Sequence, residues 1–494
     1  MSQKQFLLGI DQGTSGSRAL VLDEGGQVRG YGYRALARLH PQSDWVEQDP
    51  DAVVAGVEQS IDEALMQAEI RPQQVAACGI ACQRNTDFVW DAQTLQPLGN
   101  AITWQDLRTQ EYMLEVEKSP LASEYRRRLG RLPGAFSSAL HMAWRLKHDP
   151  VIQVAARAGR LRAGFSAEWL LAALGQLDGH FMDYTLVQAS GLYDFRNGEY
   201  WQDWLDFLGL QADYFPAPQP TVHPYGLLGV AGVEIPVLAM IGDQQAALFG
   251  YDCRQPGDAE CTHGTASFVN VCLGGYSPEQ EHLNVYYAWH LGQPTYCLEA
   301  DTTVTGAALR WMTQTARLLD SEDQVGVLAE SVPDSGGVAF VPAFTGLNVP
   351  YDDPRARGTL LGLTLGTRRA HIARAFLEAI AFQIRAILDT IQADVGLAVE
   401  RLSVGGGISA SNLACQIQAD LMGIPVVRPQ FTQTTARAAA LLAGLGAEIW
   451  ACEADLPTLP GEKKVFEPQL GEAERQAAFA RWQKAVEATR LYIG

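Results

Sequence analysis

Positive charge is scarce in this chain of 494 residues: 37 Lys and Arg stand against 56 Asp and Glu, a net charge of −19. That deficit excludes a broad nucleic-acid surface, because phosphate backbones are held by clustered Lys and Arg. A small anionic ligand is still allowed, since it needs only one local positive site. No run of eighteen apolar residues occurs, so no membrane span is expected. Residues 1–13 hold one Lys and a five-residue apolar run, too short for the core of a secretory leader. Of the eight cysteines only Cys78 and Cys82 lie close together, and no His or Cys pair elsewhere has zinc-ligand spacing. Buried, reduced thiols and a cytoplasmic setting are the expectation. Two phosphate-binding signatures are missing as well. Without G-x-x-x-x-G-K-[ST] the chain is no P-loop NTPase, and without H-R-D and D-F-G it is no protein kinase.

What is present is an ordinary globular composition, 47% apolar and 19% charged, in a chain long enough for two to four domains. Apolar β-type runs at residues 6–10 and 18–23 flank the turn-rich Asp11-Gln12-Gly13-Thr14-Ser15-Gly16. A third strand is expected at 27–34, a helix at 50–68 behind Asp49-Pro50, and strands at 75–81 and 88–91. The same grammar returns near the middle. Residues 258–261 lead into Thr262-His263-Gly264-Thr265 and residues 266–273 lead out. Helices at 306–319, 368–391, 411–421 and 434–449 then alternate with strands at 338–341, 402–404 and 426–427. Such a pattern, written twice, reads as a duplicated α/β domain. The boundary is expected near residues 250–257, where Gly250, Pro256 and Gly257 interrupt it, giving domains 1–250 and 251–494.

Four segments carry chemistry. The turn after Gly9-Ile10-Asp11 can present backbone N–H groups to phosphate oxygens, with Thr14 and Ser15 adding hydroxyls, Arg18 a charge, and Asp11 a carboxylate suited to a Mg²⁺ shell. A plain hairpin with a Gly-rich turn has the same pattern. His263-Gly264-Thr265 offers a second phosphate turn across a cleft. In Ile241-Gly242-Asp243-Gln244-Gln245 an acid follows an apolar strand, as a general base for a substrate hydroxyl would, or as a helix N-cap would. Gly405-Gly406-Gly407 lets a ligand lie on bare backbone before a helix, but lacks the spacing of a dinucleotide fingerprint, so NAD is not expected.

These motifs, in this order, resemble the FGGY family of carbohydrate kinases, and within it the glycerol kinases, over residues 7–447. Gln83-Arg84-Asn85-Thr86, Val89-Trp90-Asp91, Asn100-Ala101-Ile102, Trp104-Gln105-Asp106 and the segment 242–250 are similar to the glycerol-kinase substrate and catalytic regions. Residues 136–144 and 358–378 resemble the two family signatures. The resemblance implies two actin-like (ribonuclease-H-like) α/β domains around a cleft, and ATP-dependent phosphorylation of a polyol or sugar with Mg²⁺. It implies Asp243 as base and Asp11 as the magnesium-associated carboxylate. Thr14, Ser15, Gly16 and Arg18 would face phosphate, with Thr265 across the cleft. Gly306, Arg310, Gly407 and Ser411 would border the nucleotide, and Arg84, Asn85, Phe136, Asp243 and Gln244 the acceptor. A homodimer is only the general expectation for a soluble enzyme.

Several positions depart from the glycerol-kinase pattern. Asn85 replaces a Glu, Phe136 a Tyr, His141 a Lys, Arg310 a Gln and Ser411 an Asn. Gly405-Gly406-Gly407 stands where Asp-Gly-Gly is usual and is more like xylulose kinases. Nothing resembles the Gly-Gly-Thr-Arg stretch that binds an inhibitory sugar bisphosphate. One lost hydrogen bond to a charged group is worth about 1.5–3 kcal/mol, roughly ten- to a hundredfold in affinity for glycerol. Another polyol or a ketose is therefore an open acceptor, and a pentulose kinase an open reading. So are two remoter ones, a non-catalytic ligand-binding relative and a chaperone-like ATPase on the same core.

Overall fold

Strands covered on both faces must be apolar throughout, and the first strand of the computed structural model, β1 (Phe6–Gly13), meets that demand: Leu7, Leu8 and Ile10 are wholly buried. The structure describes residues 6–279 and 282–492; the reading of residues 1–13 as lacking a leader falls partly outside them. β1 continues through a tight turn into β2 (Gly16–Asp23) and then β3 (Val28–Ala35). Helix α1 (Pro50–Gln67) follows; Asp49 caps it by accepting from the Asp51 N–H, and Pro50 opens it. β4 (Val75–Cys82) then pairs parallel to β1. Beyond β4 lie β5 (Gly175–Leu177), β6 (Val222–Val230) and β7 (Val233–Gly242), giving a seven-stranded sheet of order β3-β2-β1-β4-β7-β6-β5. β7 runs parallel to β4.

Helix α2 (Asp243–Gly250) leads to the second half. There β8 (Ala259–His263) pairs antiparallel with β9 (Ser267–Gly274). β10 (Asn284–Leu291) and β11 (Gln293–Asp301) extend that side. On the other side β12 (Leu402–Gly406) and β13 (Val426–Pro429) add in parallel and β14 (Lys463–Phe466) closes the edge, giving the order β10-β11-β9-β8-β12-β13-β14. Both sheets thus have an antiparallel meander on one side of the first strand and parallel strands on the other, the expected duplicated α/β architecture. The helices here are α3 (Gly306–Arg310), α4 (Arg369–Val395), α5 (Asn412–Met422) and α6 (Thr434–Gly446).

Helix α6 does not stay with the second sheet. It crosses back and packs on β1, β4 and β7 of the first. Its small residues let the backbone come so close that a Cβ on Gly9 would stand 1.9 Å from the Ala436 carbonyl oxygen, and one on Gly79 1.9 Å from that of Ala439. Leu7, Ala77, Ile241 and Phe249 share one core with Leu441 and Leu442. Arg437, fully buried, is held by Asp252 at 3.2 Å and by the Gly250 carbonyl at 3.1 Å. The sequence pattern gave no sign of this return.

Other expectations need correction. The helix over 306–319 is α-helical only to Arg310; residues Trp311–Thr315 widen into a π turn. There the Thr313 hydroxyl donates to the Leu309 and Arg310 carbonyls and competes with the regular ladder. Strand Phe88–Asp91 exists but pairs with Leu161–Gly164, outside both large sheets. Trp201 and Trp204 are core, whereas Phe207 lies exposed against Trp204. The tail helix, Glu472–Leu491, buries Phe479, Trp482 and Val486. Seven thiols are buried and free; Cys452 is exposed.

If the seam under α6 holds the halves together, Gly79→Ala lowers stability by about 1–3 kcal/mol in denaturant unfolding. Gly275→Ala, whose added Cβ meets nothing within 4 Å, stays within about 0.5 kcal/mol. Equal effects at the two sites would contradict the close approach.

Candidate active site

Three parallel strands end at one edge of the first sheet. The register sets Asp11 on β1 beside Ala81 on β4, and Ala81 beside Ile241 on β7. Arg84 emerges two residues past β4, and Asp243 one residue past β7. Ligands of parallel α/β sheets gather at such carboxyl ends. Asp243 is the first residue of α2 rather than its cap: Gly242 holds the cap position, and Asp243 Oδ1 accepts from the Gln244 N–H at 2.8 Å.

Arg84 organises the acceptor end. Its Nε lies 3.4 Å from Asp243 Oδ1, and its Nη2 donates to Glu299 Oε2 at 2.6 Å. Its guanidinium also sits 5.1 Å from the centre of the Tyr286 ring. Glu299 and Tyr286 belong to β11 and β10, so one side chain ties the two sheets together across the cleft. Burial alone would pull the Arg84 guanidinium down, but Glu299 and Asp243 outweigh it and hold it above its ordinary value. Burial pushes the Asp243 carboxyl up to about 6, with Arg84 opposing and Asp11 adding to the rise. The side chain keeps 29% of its surface open, enough for a substrate to reach it. Beside it Gln244 Oε1 and both amide atoms of Gln245 are buried without partners, so they are acceptors and donors to spare for an incoming hydroxyl.

On the phosphate side, β1–β2 register places Asp11 opposite Arg18, and their side chains meet at 3.2 Å. Burial raises the Asp11 carboxyl, against the pull of Arg18. Ser15 stands exposed in the turn and Gly16 is buried, where a Cβ would strike Arg34 and Tyr33. The Thr14 hydroxyl donates to Gln83 Oε1 at 2.9 Å and accepts from Trp104 Nε1 at 2.8 Å, so it braces the turn. Across the cleft the β8–β9 turn gathers three of the expected nucleotide residues. The Gly264 carbonyl accepts from the Gly306 N–H, the Thr265 carbonyl from the Thr305 and Ala307 N–H groups, and Arg310 Nη2 lies 3.5 Å from Thr265 Oγ1. A Cβ on Gly306 would press on the Gly264 carbonyl at 2.6 Å. Gly407 donates its N–H to the His263 carbonyl, with open space where its Cβ would be. Ser411 caps α5, accepting from the Ala414 N–H at 3.2 Å.

Two of the three departures expected at the acceptor end, Asn85 and Phe136, are linked through Arg131. Asn85 has left-handed backbone (φ 55°), which Asn tolerates better than most residues, and its Oδ1 accepts from Arg131 Nη2 at 2.9 Å. Arg131 in turn lies 5.1 Å from the centre of the half-exposed Phe136 ring. His141, fully buried, meets Asp87 at 2.5 Å. Sequence reasoning missed Glu299, Tyr286 and Arg131. An acid near the end of an apolar strand, the signal that marked Asp11, was present at Glu299; nothing local marked the other two.

The raised Asp243 carboxyl makes stability depend on pH in a fixed direction. Its folded value of about 6 exceeds the ordinary 3.8, so ionisation burdens the folded state above pH 6, and the burden fades as pH falls toward 4. The stability of Asp243→Asn relative to wild type therefore grows between pH 4.5 and 7 and levels off above. Denaturant unfolding at several pH values reads this, and a difference flat across the range contradicts it.

Comparison with known proteins agrees with this geometry. Residues 6–250 match the N-terminal domain of the FGGY family of carbohydrate kinases and residues 259–447 its C-terminal domain. A protein named glycerol kinase from Symbiobacterium thermophilum is 39% identical over 491 residues, covering 99% of both chains. One from Deinococcus radiodurans is 37% identical over 99% of this chain and 98% of its own. Among solved structures, the Plasmodium falciparum glycerol kinase with ADP superposes with a TM-score of 0.91 at 26% identity, covering 99% of each chain. A ligand-bound xylulose kinase from Lactobacillus acidophilus shares the fold at TM-score 0.86 and 18% identity, again over 99% of each. Two matched domains, full-length relatives and an acid at the end of the expected strand converge: the chain belongs to the FGGY family of carbohydrate kinases.

Proposed function

We propose that the chain transfers the γ-phosphoryl group of ATP to a hydroxyl of a small polyol or sugar, in the manner of the glycerol kinases. The observation that carries this reading is the cluster of Asp11, Arg84, Asp243 and Glu299, with a carboxyl raised to about 6 at its open end. At neutral pH such a group is ionised yet still basic enough to take a proton from a hydroxyl. Asp243 receives that proton as the oxygen attacks phosphorus; Arg84 keeps the carboxylate oriented, and Gln244 Oε1 accepts from a second hydroxyl. The β1–β2 turn with Arg18 and the β8–β9 turn with Thr265, Gly306 and Arg310 flank the triphosphate, and Gly407 leaves room for the nucleoside.

Among the described residues no group of three or more His, Cys, Asp or Glu is gathered for a metal. Mg²⁺ needs no such cage, since one or two carboxylates with phosphates and waters suffice. Asp11, whose one charged partner is Arg18 at 3.2 Å, fits that part. When bound, Mg²⁺ supplies neutralising charge to the phosphate oxygens. The halves 1–250 and 251–494 then serve acceptor and nucleotide respectively, and the free cysteines suit a cytoplasmic setting. Among the described residues no helix is long and apolar enough to cross a membrane.

The test is ADP release in a coupled assay with ATP, Mg²⁺ and a panel of polyols and ketoses. Wild type releases ADP only when an acceptor is present, and Asp243→Asn lowers kcat by roughly 10²–10⁴-fold, the usual effect of losing a general base. ATP hydrolysis independent of acceptor and untouched by Asp243→Asn would favour a chaperone-like ATPase instead.

A further inference from the structure

A buried guanidinium without a counter-ion is costly, and proteins normally give it a carboxylate. Among the described residues Arg385 follows that rule, with Asp389 at 3.5 Å, and so do three further buried arginines. Arg84 has Glu299 at 2.6 Å, Arg108 has Glu47 at 2.6 Å and Asp106 at 2.8 Å, and Arg437 has Asp252 at 3.2 Å. Arg131 does not. Only 3% exposed, it makes no ion pair among the described residues. Its Nη2 donates to two neutral oxygens, Asn85 Oδ1 and the Ala189 carbonyl, each at 2.9 Å, and its Nε is buried without any partner. Arg145 also lacks an ion pair, but the Asp87 charge acts on it.

Arg131 stands at the acceptor end of the cleft. Its neighbour Asn85 follows Arg84, the residue that holds Asp243. Tyr286 lies between the two arginines, under the Arg84 guanidinium and in hydrogen-bond contact with Arg131. Phe136, 38% exposed, covers the Arg131 guanidinium on the solvent side. The position where a glycerol kinase carries Glu is thus occupied by a neutral amide, and that amide touches an arginine that has no ion-pair partner among the described residues.

We propose that the missing counter-ion is brought by the acceptor, which is a small polyhydroxy carboxylate: its carboxylate pairs with Arg131 while a hydroxyl at the other end faces Asp243. This rests on the kinase reading above and names the acceptor class for the same site. The Arg131 guanidinium touches only a neutral amide, a carbonyl, a phenol and an aromatic ring, while the nearby Arg84 is already paired with Glu299 and Asp243, which suits a single added negative charge. Charge-assisted pairs of this kind are roughly twice as strong as neutral hydrogen bonds. The reaction balances as aldonate plus ATP giving phospho-aldonate, ADP and a proton: the hydroxyl oxygen–phosphorus bond forms, the bond from phosphorus to the ADP oxygen breaks, and the hydroxyl proton passes to Asp243. Loss of Tyr and Glu from the pocket, a defect for glycerol, becomes a gain for an anion, because a carboxylate at residue 85 would repel it and occupy Arg131.

The experiment compares aldonates of three to six carbons with alditols of the same length in the ADP-release assay on the full chain, in wild type, Asn85→Glu, Arg131→Met and Arg131→Lys. Wild type is expected to show kcat/KM at least about tenfold higher for the best aldonate than for its alditol. Asn85→Glu, which supplies Arg131 with an internal carboxylate, reverses that preference, mainly through KM. Arg131→Met lowers the aldonate-to-alditol ratio by about a hundredfold, and Arg131→Lys restores most of it, which a purely structural role would not give. Should a variant fail to fold, the wild-type ratio and calorimetric binding of the aldonate to wild type still decide. An alditol preferred over its aldonate in wild type, or a ratio unmoved in Asn85→Glu, overturns the proposal while leaving the kinase intact. Aldonate binding in the calorimeter without acceptor-dependent ADP release upholds the carboxylate site and overturns the kinase reading. If no aldonate is bound in the calorimeter and none is turned over, the proposal is overturned.

Discussion

The backbone of α6 lies directly on the first sheet, and everything functional is placed relative to that contact. Carbonyls of Ala436 and Ala439 press on Gly9 and Gly79, so any side chain at those two positions would lift the helix. Two residues beyond Gly9 comes Asp11, and five beyond Gly79 comes Arg84. α2, which opens with Asp243, packs against the same helix through Gly250. One close approach therefore sets three strand ends at once. Because α6 lies in the chain between β13 and β14 of the second sheet, the same contact joins the two halves around the cleft, where a motion of one against the other has to pivot.

Across that cleft a single cation answers the acids. Arg84 faces Asp243 from its own half and Glu299 from the other, and the balance of burial against this pairing leaves Asp243 near 6. Removing a partner from a buried pair is more damaging than never having built it, which gives the network a positioning role beyond its net stability. The overall charge of −19 says little about this place. Locally the cleft brings Arg18 and Arg84 against Asp11, Asp243 and Glu299, with Arg131 and Arg310 nearby.

Much of this was legible in sequence because the signals are local. The hairpin turns, the runs of parallel strands and the acids at strand ends are each written within ten residues, and the register of β1 on β2 follows from a two-residue turn. What was not legible depends on distance. Arg84 and Glu299 are separated by 215 positions, Arg131 becomes visible only beside Asn85, and the return of α6 shows only as glycines in two strands that would otherwise be read as weak points. The failure at residues 306–319 has a different origin: the apolar spacing is helical, but Thr313 hydrogen-bonds back to the preceding carbonyls and the turn widens. The partners of the Thr14 hydroxyl, Gln83 and Trp104, come from other segments and were equally out of reach of a local pattern.

The central claim is that this cleft moves a phosphoryl group from nucleotide to alcohol. Phosphorus NMR of the protein with ATP, Mg²⁺ and a mixture of alditols and aldonates reads that transfer without assuming which acceptor is used. The account predicts one new phosphomonoester signal for each ADP formed, no inorganic phosphate above background, and no turnover when the mixture is left out. Inorganic phosphate growing at the same rate with and without the mixture would contradict it.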